Sequence, residues 1–210
     1  MVQALARAIE PVFEFTGGSH CLDFTNTLGD SRARPIERLK TYHDLVAWGQ
    51  QAGVLTDGEA RLLTGIAEQH PWAASRTLKE AVDLREAIYR IISSVIDGSS
   101  AAQSDFATLN GSLSRALDRL QVTTGSNGFG WSWADSGEAL DRMLWPVVRS
   151  AADLLVSEEA KRVRRCSGQN CDWLFLDTSR NHSRRWCDMR GCGNREKARR
   201  HYARKRAGLR

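Results

Sequence analysis

Cys166, Cys171, Cys187 and Cys192 stand in a Cys-x4-Cys-x15-Cys-x4-Cys array that runs directly into an Arg-rich segment. Each close pair can fold as a tight turn, and the intervening loop lets the two turns meet, so four thiolates can surround one Zn²⁺ as a tetrahedron. The gap within each pair is the upper edge of the usual structural spacing. Two disulfides or four unrelated core cysteines are the other readings, and the absence of secretory features and the crowding of four of the five cysteines into twenty-seven residues argue against them. Asp172, Asp188 and His182 are close enough in sequence to substitute as ligands. Thiolate suits the softer ion better, so the expected set is the four sulfurs.

The residues after Cys192 suggest what such a site would position. Gly193 permits a tight turn, Asn194 can cap a helix expected over 195–206, and Glu196 falls in its first turn, where negative charge is favoured. On that helix Lys197, Arg200, His201 and Arg204 share a face at i, i+3, i+4 and i+7, with Ala198 and Tyr202 opposite. Arg184 and Arg185 add cations from the loop. Arg195 has two readings: a phosphate contact, or a cation offsetting the net negative charge of a metal held by four thiolates. A cationic helix on a rigid metal platform can lie along a phosphate backbone or enter the DNA major groove. The candidate nucleic-acid-binding residues are therefore Arg184, Arg185, Arg195, Lys197, Arg200 and Arg204. Duplex DNA is the expected partner and RNA the alternative, since phosphate attraction is common to both.

Charge is divided along the chain. Residues 161–210 hold sixteen Lys or Arg against four Asp or Glu, whereas residues 1–160 hold fourteen against twenty-one, within an overall net charge of +5. An acidic body with a concentrated basic end implies one segment with a polyanionic partner. An apolar content of 41% over 210 residues supports a body of ordinary size plus a small module. No stretch is apolar enough to span a membrane, and the first fifteen residues lack a signal-peptide core, so the expected location is cytoplasmic, with no membrane partner. Reducing conditions there favour metal over disulfides and make Cys21 an ordinary buried thiol.

The run Cys192-Gly193-Asn194-Arg195, with Trp186 before Cys187 and Arg165 before Cys166, resembles the CGNR zinc fingers. Near the other end, Gly17-Gly18-Ser19-His20-Cys21-Leu22-Asp23-Phe24-Thr25-Asn26-Thr27 is similar to the Gly-Gly…Leu-Asp-Phe-x-Asn-Thr signature of the ABATE domain, which precedes that finger in a bacterial family of stress-induced transcription regulators. The resemblance implies a mostly helical N-terminal domain and a C-terminal zinc module that recognises DNA. It leaves a small-molecule effector or a homodimer interface as roles for the body.

The rest of the chain must supply elements to hold these groups. Val12–Phe15 alternates as a short strand before the Gly17-Gly18 turn, and Ser19 is a candidate N-cap for a helix over 20–28. One face of that helix carries Asp23, Asn26 and Thr27. Asp23 and Asn26 either line a small-ligand or anion pocket or hydrogen-bond neighbouring backbone and lock the helix to the body. Gly29–Pro35 is turn-like. Helices follow over 39–49, ended by Gly49, from the Thr56-x-x-Glu59 capping box up to Pro71, over 73–96, and from Ser104 or Asp105 to about 119. Strands at 120–123 and 129–133 flank a Gly125–Gly128 hairpin turn, with Phe129, Trp131 and Trp133 expected to be core. A last body helix opens at Ser136 and runs to Ser157 with a kink at Pro146.

The fold class is thus α+β. A mainly α-helical N-terminal domain with a small antiparallel hairpin spans 1–157, and a small treble-clef-like four-cysteine zinc finger with a basic C-terminal helix spans 158–210. Within the finger, Trp173–Leu176 is expected to form a small hairpin in the loop between the Cys pairs, and Trp173, Phe175 and Trp186 a miniature core. Catalysis is not expected: four thiolates leave no open metal position for water, and the body lacks His-Glu-x-x-His and Gly-x-Ser-x-Gly.

Overall fold

The protein is described here from a computed structural model over residues 11–125, 128–134, 137–206 and 208. The expected hairpin-turn residues Ser126 and Asn127, and Ser136 at the expected start of the last body helix, lie outside these described residues, as do residues 1–10. Residues 11–16 form no strand, unlike the expectation for Val12–Phe15. Phe13 alone of that run is buried, and its backbone N–H donates to Gln51 Oε1 at 3.0 Å. A side-chain acceptor takes the place of a neighbouring strand.

Gly17 and Gly18 then turn the chain into α1 (His20–Thr25), shorter than expected because Asn26 closes it. Gly18 needs glycine for its φ of +87°, and Gly17 for room: a Cβ there would sit 2.7 Å from Leu22 Cβ. Ser19 holds the N-cap position with extended backbone but makes no side-chain cap bond. Cys21, Leu22 and Phe24 are wholly buried, and the Phe24 ring meets Trp48 edge to face at 4.9 Å. Burying each of these large side chains is worth about 2 kcal/mol, which fixes α1 in the middle of the body despite its length.

The helices around it start and stop for local reasons. Thr41 caps α2 (Tyr42–Gln51) in a capping box with Asp44, and Thr56 caps α3 (Asp57–Gln69) with Glu59, the second box as expected from sequence. Gly49 does not end α2. It lies inside the helix, where a Cβ would come 2.8 Å from Leu55 Cδ1, so the glycine is there for packing. Pro71 occupies the first turn of α4 (Pro71–Asp97), the longest helix, which Gly98 closes in the left-handed region at φ +63°. In α5 (Gln103–Leu117), Asp105 does not cap; it is buried and paired with Arg90 at 2.6 Å. The last body helix, α6 (Leu144–Val156), begins later than expected. Pro146 falls in its first turn, where a missing N–H costs little, instead of kinking its middle.

Three separate two-stranded antiparallel sheets complete the described fold. β1 (Leu28–Ser31) and β2 (Arg34–Glu37) form a hairpin where sequence suggested only a turn. Its strength is tertiary: Arg85 is 1% exposed and grips both carboxylate oxygens of Glu37 at 2.7 and 2.6 Å. Those bonds and the positive charge outweigh burial and hold the Glu37 carboxyl below its usual range. β3 (Leu120–Gly125) pairs with β4 (Gly128–Trp133), placing Leu120 with Trp133, Val122 with Trp131 and Thr124 with Phe129 on one face. Only the root of this face reaches the body, where Trp133 packs 5.7 Å from Trp145. Trp131 and Phe129 are 62% and 83% exposed, so the expected aromatic core does not extend along the hairpin.

One apolar core runs through α1 to α6 and continues into the third sheet, β5 (Val163–Arg165) with β6 (Leu174–Leu176), taking in Val163, Leu174 and Leu176. Among the described residues no helix is long and apolar enough to cross a membrane.

Candidate metal centre and cationic helix

The short β5–β6 hairpin positions the first Cys pair. Cys166 follows β5 directly and Cys171 lies three residues before β6; the Cys166 N–H donates to Trp173 O at 2.8 Å, and the Cys171 N–H to Gly168 O at 3.1 Å, closing a tight turn. Gly168 lies under this turn, where a Cβ would be 3.3 Å from Cys192 Sγ. The hairpin expected inside the loop between the Cys pairs is therefore replaced: β6 pairs backwards with the strand before Cys166. Alternation along β6 gives it two roles. Leu174 and Leu176 enter the body core, while Phe175, with neighbouring Trp173 and Trp186, packs around the cysteines.

The second pair is brought over by the loop 177–186. Asp177, fully buried, accepts from the Ser179 N–H and hydroxyl with one oxygen and from the Arg184 N–H with the other, winding the loop back on itself. Arg185 O then accepts from Ser167 N at 2.8 Å, and the Cys187 N–H points at Cys166 Sγ at 3.3 Å. Cys192 sits in a wide helical turn, Met189–Gly193, capped by Asp188, whose carboxylate accepts from Gly191 N at 2.7 Å. The expected cap Asn194 is already helical. Gly193 contributes space, not turning freedom: a Cβ would be 2.9 Å from Met189 Sδ.

These turns place all four sulfurs within 4.8 Å of one another, with Cys171 to Cys187 and Cys187 to Cys192 both at 3.7 Å. A tetrahedral site with metal–sulfur bonds of about 2.3 Å has sulfurs about 3.8 Å apart, and a disulfide would need about 2.05 Å. The cluster therefore has the spacing of a metal site, and no disulfide joins the cysteines. Hydrogen bonds from Cys171 and Cys187 lower the Cys166 thiol, while those two, crowded against it, are raised. Several thiolates at this separation need a cation between them. Asp172, Asp188 and His182 stand outside the cluster. Asp172 is held by the Arg32 N–H at 2.7 Å, Asp188 caps a turn, and His182 lies exposed at φ +48°.

From the second pair grows α7 (Asn194–Arg206), which is exposed throughout except for Glu196. Glu196 is 6% exposed and joins the helix to the first Cys turn, accepting from Gln169 N at 3.4 Å and Arg199 at 2.7 Å. These bonds hold its carboxyl below the usual range, with Arg199 the larger cause. Lys197, Arg200 and Arg204 lie on the exposed helix, and Arg185 is exposed beside Trp186. Arg195 donates to Cys192 Sγ at 3.0 Å, next to the cluster.

Arg184, among the cationic candidates, is engaged within the protein. Its guanidinium donates to the carbonyls of Trp186 at 2.9 Å, Thr16 at 3.1 Å and Cys187, and lies 4.4 Å over the Phe175 ring. It is a brace between loop, cluster and N-terminal segment, with its donors committed to backbone. Asp23 and Asn26 are buried and engaged as well. Asp23 Oδ1 accepts from Gly17 N at 2.7 Å, and Asn26 bonds the backbone of Leu174 in both directions at 2.9 Å. Sequence reasoning missed Asp177 and the Arg184 brace. The only available signal was the short Asp-x-Ser spacing typical of an Asx turn.

Two family models match the chain. One, ABATE, described as "Putative stress-induced transcription regulator", covers residues 18–158, and the CGNR zinc finger covers residues 162–205. No curated protein matches it.

Proposed function

We propose, from the premise that this chain belongs to the ABATE family and ends in a CGNR zinc finger, that it binds one Zn²⁺ through Cys166, Cys171, Cys187 and Cys192 and duplex DNA through the helix this site anchors. The observation that carries the reading is α7 itself. A helix of 13 residues, anchored only at its first turn and polar on all sides, is marginal in water and gains most from an external partner. Its lysine and arginines select a polyanion.

Zinc is supported by the donor set: four buried thiols at tetrahedral spacing form a closed site, suited to holding structure. When bound, the ion fixes the first turn of α7 against the β5–β6 hairpin. Lys197, Arg200 and Arg204 then project from a rigid base, with Arg185 nearby. Arg195 offsets charge at the sulfurs, so its phosphate role is secondary here. The body provides the platform, and a regulator needs such a platform to convey any signal to the helix.

The test is a competition. Full-length chain loaded with zinc is titrated onto labelled duplex DNA, then challenged with equal masses of unlabelled duplex and of a structured RNA hairpin. Preferential displacement by duplex supports the reading, and preferential displacement by the hairpin assigns the helix to RNA.

A further inference from the structure

The Gly17–Thr27 stretch meets the finger more closely than a connection between separate modules requires. Asn26, 3% exposed, uses its side-chain amide as a strand would use its backbone, donating to Leu174 O and accepting from Leu174 N, both at 2.9 Å. Gly17 O accepts from Leu176 N at 2.7 Å, so Asn26 and Gly17 together extend β6 on its open side. Trp173 Nε1 donates to Leu28 O at 3.0 Å, just past the same stretch. Gly18 turns the chain at φ +87° beside β6, its Cβ position 3.5 Å from Leu176 Cβ, an ordinary packing distance.

We infer that this stretch is an internal receptor for β6, so that metal loading of the cysteine cluster and ordering of α1 are one coupled equilibrium. A hairpin of two three-residue strands does not hold its register alone. Cys166 and Cys171 lie in the loop that connects its two strands, and a cation held by both would clamp that loop and keep β6 in register. Losing the metal frees β6 and leaves both amide atoms of a buried asparagine without partners, together with the holes left by Leu174 and Leu176 in the body core. By reciprocity, docking of β6 on this stretch strengthens metal retention by the same factor as the metal strengthens docking, so weakening the receptor weakens metal retention. Asp23 and Asn26 are then positioning residues for the finger, and the stretch reports whether the finger is loaded.

The inference rests on zinc occupying the cluster and is independent of the nucleic-acid partner. Hydrogen exchange is followed by mass spectrometry on the full-length chain, zinc-loaded and after chelation. Faster exchange of the α1 amides in the chelated chain supports the coupling; equal exchange overturns it. In the same preparation, zinc affinity is measured by competition with a chromophoric chelator for the unmodified chain and for Asn26→Asp. The variant, with unchanged helical circular dichroism, should hold zinc at least about five-fold more weakly; unchanged affinity in the folded variant overturns the inference. If Asn26→Asp does not fold, the exchange experiment on the unmodified chain decides. Failure of the unmodified chain to take up zinc overturns the metal reading along with the coupling, whereas zinc uptake with uncoupled exchange overturns the coupling alone.

Discussion

Arg195 and Cys192, three residues apart at the start of α7, are joined by a guanidinium-to-sulfur bond of 3.0 Å. The bond ties the cationic helix electrically to its own anchor, because four thiolates around a divalent ion carry net negative charge that a neighbouring guanidinium offsets. Arg195→Gln should therefore lower zinc affinity about ten-fold, within the range seen when groups around a metal site are removed. Competition with a chelator measures it, and an unchanged affinity would assign Arg195 to phosphate contact instead.

The two glycines of the N-terminal turn should respond for different reasons. Gly17→Ala places a Cβ 2.7 Å from Leu22 Cβ and 2.9 Å from Asp23 N, an overpacking that costs about 1–3 kcal/mol. Gly18→Ala forces a side chain onto φ +87°, costing about 1–2 kcal/mol with no clash under 3.5 Å. Thermal unfolding of the zinc-loaded chain reads both. If Gly17→Ala melts as the unmodified chain does, the close approach of this turn to α1 is not as described.

How much of this was legible beforehand depended on whether a residue's chemistry or its neighbours decided its role. The cysteine array could be read directly, since the spacing of four soft ligands has few other uses, and the Thr56-x-x-Glu59 box could be read because both partners lie within one turn. The β1–β2 hairpin was not legible. Its residues include Gly29, Asp30 and Pro35, and contacts from distant Arg85 and Asp172 hold it. Gly49 and Gly193 were visible as glycines, but sequence cannot distinguish a glycine needed for space from one needed for φ. Arg184 and Arg185 show the limit most clearly: identical neighbours, of which one is drawn inward because Asp177 holds its N–H, while the other stays in solvent.

Asp23 gives a pH signature. Burial, only partly offset by the N–H groups of Gly17 and Thr16, raises its carboxyl from 3.8 to about 6. The folded state thus binds this proton more tightly than the unfolded chain. Its contribution is complete below about pH 4 and is lost as pH rises to about 6, a change on the order of 3 kcal/mol. Asp23→Asn removes the titration and keeps an acceptor for Gly17. The stability difference between unmodified chain and variant, from denaturant melts at pH 4 to 7, should shift against the unmodified chain as pH rises, and a difference that stays flat across that window contradicts the burial of Asp23.

The tip of the β3–β4 hairpin should tolerate change. Phe129 is 83% exposed, so Phe129→Ser should alter unfolding free energy by less than about 0.5 kcal/mol. The buried Trp48 is the contrast: Trp48→Ala should cost about 3–5 kcal/mol. Chemical denaturation of the two variants makes the comparison, and a large loss at Phe129 would restore the aromatic core expected from the sequence.

If zinc fixes a cationic helix for duplex DNA, fluorescence anisotropy of a labelled duplex titrated with the full-length chain shows it most directly. Zinc-loaded protein should bind with an affinity that falls as salt rises, with a slope of log K against log salt of about −5 if roughly six cations meet phosphates. Chelation should abolish the tight phase, and Lys197→Ala, Arg200→Ala and Arg204→Ala together should weaken binding and flatten the slope to about −3. Zinc-loaded chain that leaves the duplex unbound at about 50 mM salt, or that binds equally after chelation, would contradict the account.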